Sequence, residues 1–89
     1  MKAIITVVGH DKVGIIAKVS GILAKNNVNI LDISQTIMRD MFTMIMLVDV
    51  SENRIDFDEL RAELALCGEG MELSINIQRE DLFNSMHRI

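Results

Sequence analysis

Apolar positions in this chain recur with two periods that alternate along its length. Residues 2 to 8 (Lys2-Ala3-Ile4-Ile5-Thr6-Val7-Val8) are largely β-branched and apolar at nearly every position. That is the pattern of an interior strand covered on both faces. Ile15, Ile16, Val19, Ile22 and Leu23 then fall at helical spacing, which predicts a helix over residues 13–26 with one apolar face. It stops at Asn26-Asn27, residues that tolerate the left-handed conformation ending many helices. Gly21 inside it costs about 1 kcal/mol relative to Ala. Residues 28 to 38 alternate imperfectly, Leu31, Ile33 and Ile37 against Asp32, Ser34 and Thr36, and read as a half-exposed strand. Arg39-Asp40 is the turn into a third strand over residues 41–50, with Phe42, Met44, Met46, Val48 and Val50 on one parity.

A polar connector, Ser51-Glu52-Asn53-Arg54, leads to Asp56-Phe57-Asp58-Glu59, a capping-box-like start with acidic residues in the first turn. The second helix places Phe57, Leu60, Leu64 and Cys67 on one side, leaves Asp58, Glu59, Arg61 and Glu63 as a solvated surface, and is expected to end at Gly68-Glu69-Gly70. Met71, Leu73, Ile75 and Ile77 then alternate with Glu72, Ser74, Asn76 and Gln78, a fourth strand with one wet face. Leu82, Phe83 and Met86 share a face of a short C-terminal helix, marginal by itself and expected to dock. The order βαββαβ predicts an α+β, ferredoxin-like fold: a four-stranded antiparallel sheet with both helices on one face. Residues 1–79 form the body and residues 80–89 an amphipathic tail of the same domain.

Composition narrows the function. A domain of 89 residues buries only about 60 to 65% of its unfolded surface, and 49% of these residues are hydrophobic, so a homodimer is expected. A formal net charge of -4 with nine scattered basic residues, and neither Trp nor Tyr, argues against nucleic-acid binding. One cysteine, Cys67, cannot form an internal disulfide and reads as a small core residue, so the chain is expected in the cytoplasm. It holds no apolar run long enough to predict a membrane-spanning helix. Met38, Met41, Met44 and Met46 read as adaptable core in preference to a soft-metal box. Two histidines far apart in sequence make no metal-ligand pattern, and no cofactor motif is present.

The remaining candidate chemistry lies in Gly9-His10-Asp11-Lys12-Val13-Gly14-Ile15-Ile16, where the first strand runs into the first helix. A helix N-terminus presents unpaired amides and partial positive charge, so this loop suits a carboxylate or phosphate. The structural alternative is that glycine only makes the turn and Asp11 only caps the helix. His10, Asp11 and Lys12 are the only acid-base candidates nearby and nothing arranges them as a triad, so the chain does not read as an enzyme.

This loop, followed by Asn27-Val28-Asn29-Ile30, resembles the ACT domain family over essentially the whole chain up to Arg79. With its Phe83 to Ile89 ending, the chain is similar to small stand-alone bacterial ACT proteins, and to the N-terminal half of glycine-cleavage-system transcriptional repressors. The resemblance implies a regulatory module that binds an amino acid at a subunit interface, between the first strand-helix loop of one chain and the second strand of another. Carried over, Gly14 matches the glycine at the helix start, Asp11 the loop acid and Asn29 the strand asparagine. The amides of Val13, Gly14 and Ile15 would hold the anion, Asp11 the ammonium, and Asn29 of the neighbouring chain a further polar group. Lys12 completes the ligand-binding set. The serine-sensing dehydrogenase subgroup has His where this chain has Gly9 and Asn where it has Asp11, so serine-type recognition is not implied. The alternative is a regulatory or protein-interaction subunit that has lost ligand binding.

Overall fold

A computed structural model describes residues 1–81 of the chain. The elements follow in the order β1 (Lys2–His10), α1 (Ile15–Lys25), β2 (Asn29–Met38), β3 (Met41–Asp49), α2 (Phe57–Met71) and β4 (Leu73–Arg79). All pairings are antiparallel and the strand order is β2-β3-β1-β4, the ferredoxin-like arrangement expected from the sequence. The expected tail helix lies mainly on residues 82–89, outside the described residues.

One parity of each inner strand makes the core: Ala3, Ile5 and Val7 on β1 and Met44, Met46 and Val48 on β3 are essentially inaccessible. Val19 and Leu23 of α1 and Leu60 and Leu64 of α2 close over them from one side. The opposite face of the sheet is open, contrary to the two-sided cover expected for β1: Val8 is exposed and Ile4 and Thr6 are half-buried. Apolar content at every position of β1 therefore reflects an uncovered face as well as a core face.

Four further expectations are corrected. β2 is an edge strand exposed at all ten positions and not half-buried, because it lies at the sheet edge and α1 approaches only its start. A β-bulge at Leu31 shifts the register between Ile30 and Asp32, so Ile30, Ile33 and Ile37 share the helix-side face and Leu31 does not. Helix α2 runs through Gly68-Glu69-Gly70 to Met71, where Glu72 takes the left-handed conformation at φ 58°. Tertiary packing overrides the weak helix propensity of the two glycines: Gly68 is buried, and a Cβ there would stand 2.6 Å from the Leu73 carbonyl oxygen. The methionines divide, with Met44 and Met46 in the core but Met38 and Met41 exposed on the open face.

Candidate functional site

The junction between β1 and α1 is shaped by Gly14, at φ 95° and ψ 1°, a conformation costly to any residue with a Cβ. Gly14 is the N-cap, its carbonyl accepts the Lys18 amide at 3.0 Å, and no side chain caps the helix. The first-turn amides therefore lack the carboxylate or hydroxyl acceptor that usually satisfies them. Asp11 is not the cap. Its amide donates to the Asp40 carbonyl at 2.7 Å, pinning the loop to the β2-β3 turn, while its residue stays exposed.

The other loop residues divide by role. The Lys12 ammonium donates to the Met71 carbonyl at the C-terminal end of α2, a helix whose last turn carries no basic residue. Lys12 thus offsets the negative end of that helix dipole and ties the loop to α2. Val13 is almost fully exposed at 99%, an apolar side chain with nothing packed on it. Ile15 is a core residue at 2% exposure, so only its amide is available to a ligand.

Asn29 is not beside this loop. It opens β2 opposite Asp49, which pairs with Lys2 at the start of β1, whereas the loop leaves β1 after His10. Eight residue steps along β1 separate the two ends, about 27 Å at 3.4 Å per residue. Within one chain the six residues cannot surround one small molecule. Asn29 instead lines two crevices, one between α1 and β2 walled by Ser20, Gly21, Ala24 and Ile30, and a polar one of about 270 Å³ with Asn27, Asp49, Ser51 and Glu52. The Ser51 hydroxyl and amide donate to Asp49 at 2.6 and 2.9 Å, holding its carboxyl below the ordinary 3.8.

β2 offers a free hydrogen-bonding edge ten residues long, with Ile30, Ile33 and Ile37 between 37 and 52% exposed. Long apolar edges of this kind pair with another chain. A separate groove between α1 and α2, lined by Ala17, Gly21, Ile22, Cys67 and Gly70, lies apart from the loop. Its rim lysine Lys25 is already paired with Glu63. Among the described residues no three His, Cys, Asp or Glu side chains cluster to hold a metal, and no helix is long and apolar enough to cross a membrane.

The pattern that defines the ACT domain matches residues 2–78. A UPF0237 protein of Clostridium acetobutylicum is 60% identical over 89 residues, all of both chains. The solved structure of an ACT domain protein from Streptococcus pneumoniae superimposes with a TM-score of 0.80 at 49% identity, covering 93% of each chain. A putative glycine cleavage system transcriptional repressor superimposes with a TM-score of 0.75 at 26% identity, over 88% of this chain and 44% of its own.

Proposed function

This chain belongs to the ACT domain family, typically regulatory ligand-binding modules, and we propose that it binds an amino acid at the interface of a homodimer. The observation that carries this reading is the opposite placement of the loop and Asn29 beside an unpaired edge strand. Twofold antiparallel pairing of two β2 edges would carry Asn29 of each chain toward the Asp11–Gly14 end of its mate. The exposed isoleucines of β2 would be buried at the same time. The uncapped first turn of α1 would then receive the carboxylate, Asp11 the ammonium, and Asn29 from the mate a polar substituent.

Lys12 enters this site as a positioning residue, since its ammonium is engaged by α2. The chain acts by binding and carries out no catalysis.

Thermal scans with each proteinogenic amino acid at millimolar concentration test the reading. A ligand at a hundredfold excess over its Kd adds about 2.7 kcal/mol. Asp11→Ala and Asn29→Ala should each abolish the shift, and mixing the two variants should restore it in about one site in four, because one site of each mixed dimer is then intact. No shift with any amino acid would favour a ligand-free regulatory subunit. A shift lost in both variants and not restored by mixing would put both residues in one chain's site.

A further inference from the structure

Two exposed methionines, Met38 and Met41, stand in a row with His10. Across the Arg39-Asp40 turn Met38 is the direct partner of Met41, and across the next ladder Met41 is the direct partner of His10. Directly opposed residues of antiparallel strands project from the same face. The neighbouring Phe42 is buried on the helix side, so this row lies on the open face. Met38 is 71% and Met41 43% exposed. Two thioethers and an imidazole thus span two strand spacings, about 10 Å, with Met41 in the middle. Side chains of this length can converge on one atom above it.

A carboxylate stands beside the histidine: Asp40 Oδ2 lies 3.3 Å from His10 Nδ1, which leaves Nε2 as the nitrogen with no carboxylate next to it. A carboxylate behind a histidine is the usual outer partner of a ligating imidazole, fixing its tautomer. Thioether sulfur is a soft neutral donor that suits Cu(I) and is a poor ligand for hard divalent ions.

We propose that Met38, Met41 and His10 form a binding site for a soft monovalent cation, Cu(I), on the open sheet face, with Asp40 as positioning residue. The site is distinct from the amino-acid reading in its ligands, since neither methionine belongs to that set. The two regions adjoin: His10 precedes Asp11 in the chain, the Asp11 amide donates to the Asp40 carbonyl, and Asn29, opposite Asp49, lies on the same open face.

The test uses the full chain in a Cys67→Ser background, which removes the competing thiol. At one equivalent of Ag(I), a redox-inert probe, the methyl signals of Met38 and Met41 and the ring signals of His10 should move together while the other methionine methyls stay in place. Replacing Met38 and Met41 together with Leu keeps side-chain size, and should leave the unfolding midpoint unchanged while weakening Cu(I) in competition with bicinchoninate at least tenfold. Asp40→Asn should weaken Cu(I) by about 10- to 100-fold and shift the imidazole 15N signals toward the Nε2–H tautomer. Unchanged Cu(I) affinity in the Leu variant overturns the proposal, as does a response centred on Met86 and His87 or no binding at all.

Discussion

Glu63 holds the end of α1 to the middle of α2, and its loss should be felt in a pH-dependent way. The Lys25 ammonium donates to one carboxylate oxygen, and Asn26 Nδ2 donates to the other at 2.9 Å. Asn26 is the buried polar residue of the described core, 5% exposed, and its Nδ2 also donates to the Ile22 carbonyl at 3.0 Å. The sequence assigned Glu63 to a solvated face; its side chain is in fact only 27% exposed. The Lys25 bond, then the Asn26 bond, hold its carboxyl below the ordinary 4.5 against the opposing effect of burial. Glu63→Gln keeps an acceptor for Asn26 but removes the charge. A charged hydrogen bond is worth about 1.5 to 3 kcal/mol and a neutral one about half that, while Lys25, at 64% exposure, adds only the few tenths of a surface ion pair. The expected loss at pH 7 is about 1 kcal/mol, or about 4 to 8 °C in Tm for a domain of this size. Because the folded pKa is the lower one, the unfolded chain binds more protons between the two values and stability rises with pH across that window. The contribution is full above the ordinary 4.5 and is lost as pH falls through the folded value. Urea unfolding at pH 7 and pH 3, at matched protein concentration, should show the gap between the two proteins narrow in acid. An equal gap at both pH values, or none at pH 7, would refute the reasoning.

Gly14→Ala should cost about 1 to 2 kcal/mol through backbone strain alone, because a Cβ there meets nothing within 4 Å; a variant with unchanged Tm would show that the left-handed turn is not required. Gly68→Ala should cost about 1 to 3 kcal/mol by driving a methyl toward the Leu73 carbonyl, read as a lower urea midpoint at constant m-value. Gly21→Ala, with open space around the added methyl, should raise helix stability by up to about 1 kcal/mol, and a lower unfolding midpoint at low protein concentration would contradict it. Ile33→Lys puts a charge on the exposed edge of β2 and should convert the proposed dimer to a species near 10.0 kDa in sedimentation equilibrium, whereas an undisturbed dimer would place the interface elsewhere.

The fold was legible because each element carried its own period. Alternation on β3 and β4 located the buried parity correctly, down to Met44 and Met46 at 0 and 1% exposure, and Asn27, at φ 61°, supplied the left-handed residue expected after α1. What failed to show was information held between elements. A bulge is one extra residue, so nothing local at Leu31 announces that parity changes there. Gly68 and Gly70 carry the residue type of a helix end, yet close approach of α2 to β4 keeps them helical. Lys12 belongs to the expected ligand-binding set, and its tie to α2 could not be read locally because its partner, the Met71 carbonyl, lies 59 residues away. The row of Met38, Met41 and His10 could have been found from the hairpin register, since a two-residue turn at Arg39-Asp40 sets Met38 opposite Met41.

For the candidate amino-acid site, sequence proximity is misleading in a specific way. Asp11 and Asn29 are 18 positions apart, yet α1 returns the chain to the far end of the sheet before β2 begins, so every residue of that helix carries them further apart in space. A single chain therefore has the uncapped amides of α1 at one end and the asparagine at the other. Only a second copy running in the opposite direction can close the distance. The edge that would pair the two copies is the strand that begins with Asn29 itself. Coupling follows from that geometry: a ligand held by both chains adds its binding energy to the dimer, so amino-acid binding and dimer affinity should rise together. Sedimentation with and without the active amino acid measures this directly. Equal dimer dissociation constants in the two conditions would mean that the ligand touches one chain only.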